Sequence, residues 1–192
     1  MPILAAEPAL FPEALFDANI ADFPERRWTV LHTRSRQEKS LARHLFEKNI
    51  AFYLPLLAKR VRVRQQIVKS HRPLFAGYLF LLGNRDEQLA ALSTGRVANA
   101  LEVNDQDRLW QDLRQIHRLI ESGRSVIPEE RFTPGTPVEI REGPLTGLRG
   151  MIVKSVSGHR FVVTVDFIQR GASVLLDDAV LDVCLSDTTC RD

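Results

Sequence analysis

Cysteine is nearly absent. The 192-residue chain has two, Cys184 and Cys190, both near the C-terminus and without Cys-x-x-Cys spacing. That argues against a disulfide scaffold or thiolate metal site and reads as unpaired thiols of a reducing cytoplasm. Long apolar runs are missing too. None approaches the roughly 20 residues that span a bilayer, and residues 1–25 lack the basic start of a secretory signal, so no membrane partner is expected. Neither sign of charge dominates. Lys and Arg total 26 against 24 Asp and Glu, so the distribution of charge, not its sum, must identify a polyanionic partner. The five histidines, His32, His44, His71, His117 and His159, are scattered, and no nucleophile motif, phosphate loop or zinc ligand set accompanies them. An enzyme is not expected, nor a cofactor.

Enough apolar sequence is present, 44% of the chain, to fill the cores of two small domains. Residues 1–25 are acidic, rich in Ala and Pro, and carry Leu10, Phe11, Leu15, Phe16 and Phe23. Two readings stand for this leader: a disordered segment, or one whose apolar side chains dock on the domain that follows. Residues 28–33, WTVLHT, read as a strand. Ser35 and Glu38 have capping-box spacing, the helix after them repeats Leu41, Leu45 and Phe46, and Asn49 suits a left-handed end. Residues 50–54 predict a second strand, closed by Pro55. In 59–69, Arg60, Arg62 and Arg64 alternate with Val61 and Val63, which gives a strand one cationic and one apolar face. Such a stretch serves as a charge-protected sheet edge or as a basic hairpin near phosphates, and the two roles are compatible.

Residues 73–82, PLFAGYLFLL, predict a central strand, with Gly77 marking a bulge or a close neighbour. A helix over 86–93, a strand over 96–103 and a helix over 106–122 follow, the last with Leu109, Leu113, Ile116 and Ile120 on one face. Residues 124–132 hold Pro128 and a Glu-Glu-Arg run and read as a linker. Short strands over 138–141, 151–156, 160–166, 172–176 and 179–183 fit a small barrel. The expected organisation is a leader (1–25), a first domain (26–123), a linker (124–132), a barrel (133–186) and a tail (187–192).

Residues 138–156, VEIREGPLTGLRGMIVKSV, place Gly143, Gly147 and Gly150 between two strands. Taken alone this is a hairpin with turn glycines. The order strand, Gly-Pro, apolar, Gly, apolar, x-Gly, strand resembles the KOW motif of SH3-like barrels, found in NusG-type transcription factors and some ribosomal proteins. WTVLHT with its helix, then LFAGYLF at 74–80, resembles the N-terminal domain of the NusG family. There the second segment reads F-P-G-Y-hydrophobic, and here Ala76 stands in place of the proline. VTVDFIQRGASV at 163–174 extends the likeness, which covers 27 to about 183. The leader and the basic hairpin make the chain similar to a specialised, RfaH-like paralogue.

The resemblance implies an α+β chain: an N-terminal α/β sandwich linked to a small SH3-like β-barrel. It implies a bacterial, monomeric, non-enzymatic elongation and antitermination factor. The first domain of such proteins docks on the clamp helices of RNA polymerase and suppresses pausing. The KOW domain recruits the termination factor Rho or a small-subunit ribosomal protein. Carried over by position, the polymerase-facing set is His32, Phe75, Tyr78, Phe80 and Val103, aromatic anchors for a helical partner, although core packing also accounts for Phe75 and Phe80. Arg34, Gln37 and His44 fall where RfaH-like proteins touch non-template DNA, and Arg60, Arg62 and Arg64 add charge for DNA or nascent RNA. A solvated helix face is the other reading of His44. The His-Thr-Thr run of RfaH has no match at Glu87-Gln88-Leu89. Phe167, Ile168 and Arg170 fall on the partner surface of the KOW domain. Its glycines and valines disfavour helix and predict a lasting barrel. The competing reading is a ribosome-associated, KOW-type RNA-binding protein.

Overall fold

The computed structural model describes residues 8–18, 20–63, 66–129, 135–141, 143–155 and 158–176. Two compact units divide the chain, Met1–Trp110 and Gln111–Asp192. Among the described residues no helix is long and apolar enough to cross a membrane.

In chain order the first unit contains β1 (Leu10–Phe11), β2 (Arg27–Thr33), α1 (Glu38–Glu47), β3 (Ala51–Tyr53), β4 (Leu56–Val63), β5 (Gln66–Pro73), β6 (Tyr78–Gly83), α2 (Arg85–Ser93), β7 (Val97–Glu102) and the start of α3 (Gln106–Glu121). Five strands pair antiparallel in the order β1-β3-β6-β2-β7. Successive strand residues point to opposite faces, so one sheet makes two different surfaces. On one, Leu31, Phe52, Leu54, Leu79, Leu81 and Val97 pack with Leu41, Ala42 and Leu45 of α1 and Ala91 of α2. On the other, the register sets Tyr53 across from Phe80, Phe80 across from Val30 and His32 across from Tyr78.

The leader docks. Leu10 and Phe11 extend the sheet beside Tyr53 and Phe52, and the Leu54 N–H donates to the Ala9 carbonyl at 2.7 Å. Leu15 and Phe16 are 0% and 5% exposed. Burial on that scale stabilises by about 1.5–3 kcal/mol per side chain, which decides between the two readings of this segment.

Local details depart from expectation. Ser35 and Glu38 form no capping box: α1 starts at Glu38 with Gln37 as an N-cap that lacks a side-chain bond. The Glu38 carboxylate is buried instead and accepts the Gly77 N–H at 2.8 Å. The strand expected over 73–82 begins only at Tyr78, because Gly77 adopts φ +83° and turns the chain. Asn49 does take the left-handed conformation, at φ 55°. A true capping box opens α2: the Asn84 Oδ1 accepts the Glu87 N–H at 2.9 Å and the Glu87 carboxylate accepts the Asn84 N–H at 2.8 Å. The basic stretch is two strands of a separate sheet, β4 against β5, with Arg60 across from Lys69 and Arg62 across from Ile67. Arg64 lies outside the described residues.

The second unit holds the rest of α3, then β8 (Ile127–Glu129), β9 (Thr136–Glu139), β10 (Arg149–Ser155), β11 (Gly158–Val165) and β12 (Arg170–Leu176), in the order β8-β12-β11-β10-β9. Phe161, Val163 and Val165 of β11 are buried, with Ala172 and Val174 of β12 beside them. Gly150 is required by a close approach: a Cβ there would meet the Val162 carbonyl and come within 2.8 Å of the Phe161 ring. The expected linker is corrected in part. Its Ile127–Glu129 pairs with β12, and Glu129 forms an ion pair with Arg160 at 2.5 Å and accepts from Ser173 at 2.7 Å. Pro128 is tolerated because β8 is an edge strand. Residues 179–183, expected to close a barrel, lie outside the described residues.

Candidate functional site

At the C-terminal end of β2 the chain passes from the sheet into α1. Here His32 is exposed and Tyr78 half-buried, with their rings 5.3 Å apart. Phe75, Phe80 and Val103 are 1%, 0% and 5% exposed. Of the five expected polymerase-facing residues, the structure therefore leaves the His32–Tyr78 pair in reach of solvent and places the other three in the packed interior. Phe75 and Phe80 meet edge to face at 6.2 Å, and Tyr53 lies 6.5 Å from Phe80. An aromatic row thus backs the exposed pair. Gly77 supports it, since the His32 ring stands 3.5 Å from where a Cβ would be.

Beyond His32, Arg34 is exposed, and its N–H donates to the Arg96 carbonyl at 2.8 Å. This bond sets the start of α1 beside the start of β7. Ser40, Arg43, His44, Glu47 and Arg96 line an open cleft of about 330 Å³. The Arg96 Nε donates to the Ser40 hydroxyl at 2.8 Å, which holds the guanidinium toward α1. Gln37 caps α1, and Arg36 beside it takes a left-handed φ of 60°. Of the expected nucleic-acid residues, the fold brings Arg34 and His44 to this cluster and places Gln37 at the head of the same helix. Ser40, Arg43 and Arg96 join them unannounced. No periodicity marks these three, because the cluster arises from the pairing of chain segments far apart in sequence. Two guanidinium groups, Arg43 and Arg96, stand in this cleft with one carboxylate, Glu47.

In the second unit, Asp166–Ile168 is a 3-10 turn and Gln169 is left-handed at φ 52°. The strand does not run on through Phe167 and Ile168. Phe167 is 38% exposed, while Ile168 and Arg170 are half-buried. Among the described residues, no group of three or more His, Cys, Asp or Glu side chains is placed to hold a metal ion.

The first unit is a mixed sheet-and-helix fold with an exposed aromatic pair close to a cleft lined by Arg43, His44 and Arg96. The family model described as transcription termination factor nusG matches residues 26–131. The chain belongs to the NusG family, whose members are non-enzymatic transcription factors that interact with RNA polymerase. Among solved structures, the chain is similar to one of Thermotoga maritima NusG, described as its domain interaction, at 21% identity and a TM-score of 0.47, over 79% of this chain and 94% of that one. No curated protein matches the chain.

Proposed function

We propose that this protein is a transcription elongation and antitermination factor of the RfaH-like kind, with its polymerase contact at His32 and Tyr78. The observation that carries the reading is the adjacency of two surfaces at one end of β2. The His32–Tyr78 pair ends the aromatic face, and Arg34 leads from it directly to the cleft of Ser40, Arg43, His44 and Arg96. An aromatic anchor fits a helical partner such as the polymerase clamp helices. The basic cleft beside it fits the displaced non-template strand, with Arg and His on phosphates and base edges. Arg60, Arg62 and Arg64 add positive charge elsewhere in the same chain. We take 26–123 as the polymerase-binding domain and 133–186 as a KOW barrel. Exposed Phe167, with Ile168 and Arg170, gives that barrel an apolar anchor with a polar rim for Rho or a small-subunit ribosomal protein.

The test is elongation in vitro on a template that carries a strong pause, with and without the protein. Shortened pauses and read-through of a terminator are the expected result. Unchanged pausing, with the protein co-sedimenting on ribosomes and not retained by polymerase, would transfer it to the ribosome-associated class.

A further inference from the structure

We propose that the leader is a releasable lid: its own Phe16 occupies the aromatic face in cis, and its release opens that face to a helical partner. The identity of the partner rests on the polymerase reading above; the docking itself does not.

The Phe16 ring meets Tyr53 edge to face at 5.0 Å, Trp110 at 5.7 Å and Trp28 at 6.4 Å. Tyr53 is the register partner of Phe80. The leader therefore stands on the same sheet face, and in the same cross-strand row, as an aromatic residue expected to meet polymerase. Phe75 and Phe80, farther along that face, are buried at 1% and 0% exposure.

The leader's strand pairing is short, Leu10 and Phe11 at the β3 edge with one further backbone bond from Leu54 to Ala9, and Ala9 and Phe11 pack against the aliphatic core there. Pro8 and Pro12 bring no N–H donor to that edge. Residues 12–14 are exposed, and within 8–18 only Leu15 and Phe16 are buried. A short segment attached at one sheet edge opens locally more readily than the five-stranded sheet under it, which opens only globally. A lid that is mostly closed lowers the apparent affinity of the face by the fraction of time it is open.

The test uses the full chain in two measurements. Native-state hydrogen exchange compares the Leu54 amide, bonded to Ala9, with the Leu81 amide in β6. Exchange at Leu54 at least about tenfold faster is expected of a lid. Equal rates would make the leader plain core and overturn the proposal. Affinity for RNA polymerase is then compared for the wild type, Phe16→Ala and Phe16→Leu. Trp28 and Trp110, the chain's two tryptophans, both touch Phe16, so their fluorescence reports its undocking. Phe16→Ala should bind at least about threefold tighter, with Phe16→Leu in between. An excess of a peptide of residues 8–18 should reverse the gain. Equal or weaker binding by both variants, with far-UV circular dichroism unchanged, would overturn the lid while the polymerase reading stands. If Phe16→Ala unfolds, Phe16→Leu decides by the same criterion. Absence of polymerase binding by every chain would overturn the polymerase reading and the masking role with it.

Discussion

The two faces of one sheet are built from the same strands and from different chemistry. The face under α1 and α2 is mostly aliphatic: Leu31, Leu54, Leu79 and Leu81 interlock with Leu41 and Leu45, and all six are fully buried. The opposite face is aromatic: Trp28, Tyr53 and Phe80 lie on it, Phe16, Phe75 and Trp110 pack against them, and at one end it emerges as His32 and Tyr78. Aliphatic side chains fill space in one close-packed arrangement. Rings bury large areas at low entropy cost and keep polar edges for a partner. The first face holds the unit together, and the second is the one we assign to recognition.

Leu81→Ala attacks the closed face and should have the largest effect. Leu81 is 0% exposed, so the loss should be about 2–5 kcal/mol by urea titration, without any selective effect on binding. Gly77→Ala tests the support of the aromatic face. A side chain at φ +83° is strained, and about 1–2 kcal/mol of stability should be lost in the same titration. Arg43→Ala combined with Arg96→Ala sharpens the contrast on the polar side. Binding to single-stranded DNA should weaken, and the slope of log affinity against log salt should flatten by about 0.7 for each phosphate contact removed. Unaltered salt dependence would return the cleft to a solvated helix face. Phe167→Ala, in the second unit, should have the smallest effect on folding, within about 0.5 kcal/mol by thermal melting, because the ring is 38% exposed.

Much of this was legible where periodicity governs. WTVLHT alternates as a strand buried on both faces up to His32, and the apolar spacing of residues 109–116 marks α3. Elsewhere local pattern is silent for physical reasons. The apolar run at 73–82 conceals a turn, since Leu74 and Phe75 are as buried beside a bend as in a strand. Ile127–Glu129 looks like linker because a proline in a polar stretch forbids a central strand, yet an edge accepts it. The docking of Phe16 depends on Trp28, Tyr53 and Trp110, which are distant in sequence. Arg96 meets Ser40 only after β2 and β7 pair. Sites assembled from separate segments are the part that single-sequence reasoning leaves open.

On the proposed function, the aromatic face, and not the other, meets polymerase. Both sides of the unit carry exposed candidates. Leu89 and Leu92 on α2 are 55% and 40% exposed, and His32 with Tyr78 ends the aromatic face. The decisive measurement is the affinity of RNA polymerase for two double variants, His32→Ala/Tyr78→Ala and Leu89→Ala/Leu92→Ala. A loss of at least about 1 kcal/mol, or fivefold, is expected for the first pair, and wild-type affinity for the second. A loss confined to the leucine pair would contradict it.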